Sequence, residues 1–128
     1  MTLLLDTQVA IWWLVGSRRL GGPARKLLAE SACVLSAASV WEVAIKHRLG
    51  KLSVGPALFR DRMIAAGAEL LMVSDTHAIE TAALPRHHDD PFDRILIAQA
   101  IADGRRLVTK DDSILGYAGI AVMPRSTL

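Results

Sequence analysis

The sequence predicts an α/β fold, an α/β/α sandwich in which a mostly parallel sheet is flanked by helices on both faces. Two observations predict it. Short apolar runs alternate with longer stretches of helical periodicity along the chain. In addition, neither a Pro/Gly/Ser-rich linker nor an internal repeat divides the 128 residues, of which 52% are hydrophobic. We therefore expect a single domain over residues 1–128 with its own core.

The individual elements follow from these patterns, and their ends follow from glycines, prolines and capping residues. We predict strands at 3–5, 33–36, 70–73, 107–109 and 120–123, and helices from 7 onward, at 24–31, up to 48, at 56–66, from 75 to Pro85 and at 92–102. The expected helix starts are Thr7, a capping box of Ser39 and Glu42, Asp75, and Asp90 followed by Pro91.

Composition limits the compartment and the partners of the chain. Cys33 is its one cysteine and it contains no Asn, so neither an intrachain disulfide nor an N-linked glycan is expected, which favours a cytoplasmic location. The apolar N-terminal segment lacks a basic start and contains Asp6, unlike a signal peptide. No apolar run reaches the ~18 residues that a membrane span needs. A net charge of +2 permits nucleic-acid binding without establishing it.

Acidic residues follow the ends of the predicted strands. Asp6 ends the first strand, and Asp111 and Asp112 follow the strand at 107–109. Glu42 and Asp93 lie in the first turns of helices that begin near strand ends. Because open parallel sheets bind ligands beyond the carboxyl ends of their strands, we expect these carboxylates to share one rim.

Asp93 is the hardest of these residues to explain structurally. The helix positions on its own face are apolar, namely Leu96, Ile97, Ala100 and Ile101. A favourable contact with the helix dipole supplies about 0.3 to 1 kcal/mol, less than the cost of burying an unpaired carboxylate. We therefore expect a functional role for Asp93, whereas capping alone explains Asp90.

Glu42 and Asp6 each have a simpler alternative explanation. Glu42 fits the capping box and also precedes Lys46 by four residues, the favoured order for a helix ion pair. Asp6 at the end of a strand is equally well explained as a cap of the next helix. Their convergence with the other acids favours a site, because crowded carboxylates repel unless hard cations such as Mg²⁺ or Mn²⁺ bridge them.

Such a metal site suits phosphodiester hydrolysis, in which metal-activated water replaces a protein nucleophile. The sequence has no Walker A run, no G-x-G-x-x-G after a strand, no G-x-S-x-G elbow and no H-E-x-x-H motif. The sequence does not predict a zinc site, because His87 and His88 are adjacent rather than helically spaced and Cys33 is isolated. These absences leave oxygen-ligated cation chemistry as the expected class.

Four segments together resemble the PIN-domain family, and within it the VapC toxins of bacterial toxin–antitoxin pairs. The segments are LLDT at 4–7, SAASVWE at 36–42, HDDPFDR at 88–94 and VTKD at 108–111. Their order and spacing span nearly the whole chain. The resemblance implies a small ribonuclease that uses Mg²⁺ or Mn²⁺ to cleave RNA and is held inactive by a cognate antitoxin.

The resemblance also implies a set of site residues. It places Asp6, Glu42 and Asp93 on three acidic metal positions, and Asp111 on the fourth through its Thr-x-Asp pattern, with Asp112 as the alternate. It places Thr7 and Thr109 beside the metal, where hydroxyls orient carboxylates or water. The sequence departs from the pattern at Asp89, where similar sequences often carry a basic residue.

The resemblance further implies a homodimer and a groove for an antitoxin segment that presents an Arg to the acids. Trp12 and Trp13 cannot both face inward from one helix, and the mean hydropathy of +0.31 is high for a monomer, which agrees with a protein partner. Two alternatives are an inactive PIN-like RNA-binding or scaffolding module and a receiver-like Mg²⁺-binding signalling domain. The four acids argue against the first, and the absence of a Lys after the last strand argues against the second.

Overall fold

A computed structural model describes residues 2–85 and 89–111 of the chain. Its elements are β1 (Thr2–Leu5), α1 (Thr7–Val15), α2 (Gly22–Glu30), β2 (Ala32–Ser36), α3 (Ala37–Arg48), α4 (Pro56–Ala65), β3 (Glu69–Leu71), α5 (Asp75–Glu80), a 3₁₀ turn (Thr81–Ala83), α6 (Pro91–Asp103) and β4 (Arg106–Val108). The predicted α/β fold is therefore confirmed. The predicted strand at 120–123 lies outside the described residues.

The sheet places the ends of two sequence-distant strands side by side. The four described strands are all parallel and lie in the order β3-β2-β1-β4. Leu4 of β1 pairs with Val34 on one side and with Leu107 on the other. The chain therefore winds outward from β1 in both directions, and the crevice for a ligand is expected where β1 meets β4.

The central strands are apolar because helices cover both faces of the sheet. Alternate residues of β1 point to opposite sides. Leu3 and Leu5 pack with Phe59 in the cluster beneath α1, α2 and α4, whereas Leu4 packs with Ile97 in the cluster beneath α6. Within the described residues, no helix combines the length and the apolar character that a membrane span requires.

Two helices near the sheet rim have N-cap residues other than those predicted. Asp6, not Thr7, is the N-cap of α1 and accepts a hydrogen bond from the backbone N–H of Gln8. Ser36, not Ser39, is the N-cap of α3, so the predicted capping box of Ser39 and Glu42 is wrong. The reason is that α3 starts directly after β2, which leaves both residues inside the helix.

The later helix starts show one further difference. Ser74 rather than Asp75 is the N-cap of α5, and it forms a capping box with His77. Asp90 is the N-cap of α6 as predicted, and its carboxylate accepts from the backbone N–H groups of Phe92 and Asp93. This cap fixes the first turn of α6 and with it the position of the Asp93 backbone.

Candidate active site

A pocket of about 370 Å³ opens at the crevice where β1 meets β4. Five carboxylates and two lysines line it together with neutral side chains, and the lining comprises Asp6, Gln8, Val9, Trp12, Glu42, Lys46, Asp90, Asp93, Lys110 and Asp111. The fold thus brings the four acids predicted from the sequence to one pocket. Asp112, the alternate fourth acid, and the histidines at 87 and 88 lie outside the described residues.

Asp6 is held in place through both oxygens of its carboxylate. It directly follows β1 and is buried. One carboxylate oxygen accepts from the backbone N–H of Gln8 at 2.7 Å, and the other accepts from the Thr109 hydroxyl at 2.8 Å. Burial raises the pKa of Asp6, although both hydrogen bonds oppose the rise because they favour the charged carboxylate. Asp6 therefore combines a capping role with a place in the pocket.

Glu42 has two differently placed oxygens. Its Oε2 lies 2.8 Å from the Nζ of Lys46, the ion pair that the four-residue spacing predicts. Its Oε1 is buried and has no hydrogen-bond partner among the described residues. Buried polar atoms are normally hydrogen-bonded, so this oxygen is available to a partner other than the described residues.

Asp93 lies half-buried in the first turn of α6. Burial is the largest cause that raises the pKa of Asp93 to about 8, followed by the nearby charges of Asp6, Asp90, Glu42 and Asp111. At neutral pH Asp93 therefore holds a proton unless a cation compensates its charge.

Asp111 approaches the same pocket from the end of β4. Its backbone N–H donates to the Thr109 hydroxyl at 3.1 Å, while that hydroxyl donates to Asp6. Thr109 thus joins the two acids that follow the neighbouring strands. Thr7 contributes differently, because its buried hydroxyl donates to Ser39 at 2.8 Å and ties α1 to α3. The polar role expected of Thr7 beside a metal stays a prediction.

Three charged residues that line the pocket were not predicted from the sequence to lie there. Lys46 was expected only as a helix ion pair and Asp90 only as a cap, yet both line the pocket. Lys110 donates to the carbonyl of Arg19, and its Nζ lies 5.3 Å from the centre of the half-buried Trp12 ring. Lys110 directly precedes Asp111 in the sequence, and this was the one indication that Lys110 would line the pocket.

Comparisons with known proteins agree with this geometry. Residues 3–120 match the model of the PIN domain family. The chain is 33% identical over 113 residues to ribonuclease VapC22 of Mycobacterium tuberculosis. This match covers 86% of this chain and 87% of that protein. The chain belongs to the PIN-domain family.

Solved structures show the same PIN fold. The crystal structure of VapBC2 from Rickettsia felis bound to a DNA fragment from its promoter matches with a TM-score of 0.71 at 14% identity, over 96% of this chain and 98% of that one. The DNA-bound VapBC structure from Salmonella typhimurium matches with a TM-score of 0.69 at 20% identity, over 96% and 97% of the two chains. At these identities the likeness concerns the fold alone.

The donor set of this PIN domain suits a hard divalent cation. Carboxylate oxygens are the ligands that Mg²⁺ and Mn²⁺ prefer, and Glu42 offers an oxygen without a partner among the described residues. Within that part of the chain, no three acidic, His or Cys side chains already stand as a ready-made ligand group. The acids nevertheless line one pocket, and the charges of Asp6, Glu42 and Asp111 contribute to the raised pKa of Asp93.

Proposed function

We propose that the chain is a metal-dependent endoribonuclease toxin that hydrolyses RNA phosphodiester bonds and is inhibited by a cognate antitoxin. The observation that carries this proposal is the acidic pocket at the β1–β4 crevice, in which Glu42 Oε1 has no hydrogen-bond partner among the described residues. Similarity to ribonuclease VapC22 supports RNA as the substrate. A cytoplasmic location, where such a substrate is met, stays a prediction.

Asp6, Glu42, Asp93 and Asp111 would hold Mg²⁺ or Mn²⁺ in this proposal. When bound, such a cation supplies activation of water and neutralisation of the charge that develops on the phosphate. The protein's own contribution is orientation. Thr109 and the N–H of Gln8 fix both oxygens of Asp6, and the Asp90 cap fixes the helix turn that carries Asp93. Lys46 and Lys110 add positive charge to a pocket that receives an anionic strand.

The test is cleavage of RNA by purified protein that is free of antitoxin. We expect cleavage with Mn²⁺ or Mg²⁺, loss of cleavage with a chelator, and loss of cleavage in Asp93→Asn with the fold intact by circular dichroism. Asp75→Asn is the matched control, because Asp75 is an exposed acid in the first turn of α5. Chelator-resistant cleavage would contradict the metal requirement, and RNA binding without cleavage would favour the inactive module.

The antitoxin belongs to the same proposal. Similar structures include the VapBC assemblies from Rickettsia felis and Salmonella typhimurium, which supports a protein partner for this chain. A pocket lined by five carboxylates attracts a basic side chain, so we propose an Arg of the antitoxin as the inhibitory group. We expect the product of the adjacent reading frame to co-purify with the chain and to stop cleavage. Unchanged cleavage in its presence would exclude it as the antitoxin.

We assign the expected homodimer to an apolar groove of about 540 Å³ between α3, α5 and α6. Its lining includes Trp41, Ile45, Val73, Phe92 and Ile95. Trp41 lines this groove and is 63% exposed, so the groove offers apolar surface that a second copy of the chain can cover.

The oligomeric state tests this assignment directly. We expect a dimer by light scattering and a monomer for Val73→Glu, which places a charge on an exposed residue of the groove. Ile64→Glu is the control, because Ile64 is an exposed apolar residue of α4 outside the groove. A dimer that survives Val73→Glu but not Ile64→Glu would move the interface to α4.

A further inference from the structure

Lys46 occupies an unusual place for a residue of a helix ion pair. Its Nζ lies 2.8 Å from Glu42 Oε2, and it lines the acidic pocket rather than the outer surface of α3. Asp6 and Asp90 line the same pocket, so the ammonium group lies among three acids.

The pocket needs such a positive charge. Buried or partly buried carboxylates that lack a counter-charge destabilise a fold strongly. Lys46 supplies one positive charge at Glu42, the buried acid of α3, but leaves Glu42 Oε1 without a partner among the described residues. A divalent cation brings twice the charge and takes oxygen ligands of the same kind. The two cations thus use the same carboxylate.

The Lys46 side chain is also free to move away. It is 39% exposed, whereas the Glu42 side chain is only 11% exposed. A lysine has a long flexible stem, so its ammonium group reaches solvent without any change in α3. The acid is largely buried and its monovalent partner is more exposed, which is the arrangement expected of an exchangeable counter-ion.

We propose that Lys46 is a built-in counter-ion of the pocket, which neutralises Glu42 in the metal-free protein and competes with the divalent cation for that carboxylate. The inference rests on the proposed metal-dependent function. It predicts that Lys46 sets the cation concentration at which the pocket fills. The opposite role, in which Lys46 orients Glu42 for the metal, predicts the opposite effect on metal affinity.

The experiment measures Mn²⁺ binding by calorimetry on the full chain without RNA. We expect Lys46→Met to bind Mn²⁺ on the order of tenfold more tightly than the wild type, because a nearby positive charge is removed under partial solvent screening. Arg48→Met is the matched control on the same helix, since Arg48 is exposed and outside the pocket, and we expect unchanged affinity. Equal or weaker Mn²⁺ binding by Lys46→Met overturns the proposal.

A second variant keeps the test decisive if Lys46→Met does not fold. Lys46→Arg retains the charge and can hold both oxygens of Glu42, so we expect Mn²⁺ affinity equal to or below that of the wild type. Tighter binding by Lys46→Arg overturns the proposal. Absence of RNA cleavage alongside the expected change in Mn²⁺ affinity would contradict the ribonuclease function and leave the role of Lys46 standing.

Discussion

Helices α3 and α6 each present two chemically opposite sides, one to the acidic pocket and one to the apolar groove. On α3, Glu42 and Lys46 line the pocket while their neighbours Trp41 and Ile45 line the groove. On α6, Asp93 lines the pocket and the preceding Phe92 lines the groove. One residue along a helix turns the side chain by about 100°, so adjacent residues serve different surfaces.

The two helices also contact each other through residues of the groove. The rings of Trp41 and Phe92 meet edge to face with their centres 5.1 Å apart, and each directly precedes a pocket acid. This contact links α3 to the first turn of α6 on the side away from the pocket. The groove supplies packing and contact area, whereas the pocket supplies charge. Substitutions on the two sides should therefore affect different measurements.

The largest expected effect is that of Glu42→Gln on RNA cleavage. We expect a loss of more than about 100-fold, since even changes to the outer hydrogen-bond partners of a metal site cost about 10- to 100-fold. The amide keeps the side-chain volume and still accepts from Lys46, so the fold should persist. The cleavage rate in saturating Mn²⁺ measures the loss, with Glu30→Gln at the exposed end of α2 as the control. Wild-type activity in Glu42→Gln would remove this side chain from the mechanism.

Much of the scaffold of this pocket could be predicted from the sequence. Buried parallel strands are continuous apolar runs, so β1, β2 and β4 could be predicted from the sequence. The acids that follow β1 and β4 could be predicted with them. The Asp90-Pro91 pair fixed the start of α6 because capping and proline preferences act locally. The gathering of four acids followed from Asp6 and Asp111 at strand ends and from Glu42 and Asp93 in helices predicted to begin near strand ends.

The remainder depends on contacts that a single sequence does not contain. Thr7, Ser39 and Asp75 are good caps by residue type, but the caps used are the residues at which the chain leaves its extended conformation. Lys46 looked like a surface partner of Glu42, because the four-residue spacing does not tell which side of α3 faces the sheet rim. The link from Thr109 to Asp6 spans 103 residues and requires the β1–β4 pairing.

Thr109→Val tests a buried hydrogen bond inside the pocket, and Thr7→Val tests one outside it. The first change removes the donor to Asp6 and the acceptor for the Asp111 N–H. We expect a fall in cleavage of about 10- to 100-fold and a loss of about 1 to 3 kcal/mol in the free energy of unfolding. Thr7→Val removes a similar buried hydrogen bond, to Ser39, and should reduce stability with a smaller loss of activity. Equal loss of activity in both variants would contradict the separation.

The pH dependence of stability tests the crowding of the pocket without any substrate. The pKa of Asp93 is about 8 in the folded chain and near 3.8 when unfolded, so the folded state holds more protons between these values. Stability of the metal-free protein should therefore fall as the pH rises from about 4 to about 8.

Asp93→Asn mimics the protonated acid and should remove this part of the pH dependence. We expect the variant to unfold at a higher temperature than the wild type at pH 8 in chelator, and the advantage to vanish towards pH 4. Thermal unfolding from pH 4 to pH 9 measures the difference, with Asp75→Asn as the control. If the difference in unfolding temperature between the wild type and Asp93→Asn stays constant with pH, the Asp93 carboxylate does not have a raised pKa.

Trp41→Ala is the smallest of these effects and lies on the groove side. Loss of the edge-to-face contact with Phe92 should reduce the free energy of unfolding by about 0.5 to 1.5 kcal/mol. Cleavage should fall by less than about tenfold, because the pocket acids and their hydrogen bonds remain. Leu49→Ala is the matched control, since Leu49 follows α3 and is also 63% exposed. Denaturation at several protein concentrations separates the two roles of Trp41, because a contribution from the dimer grows with concentration whereas the link between α3 and α6 does not.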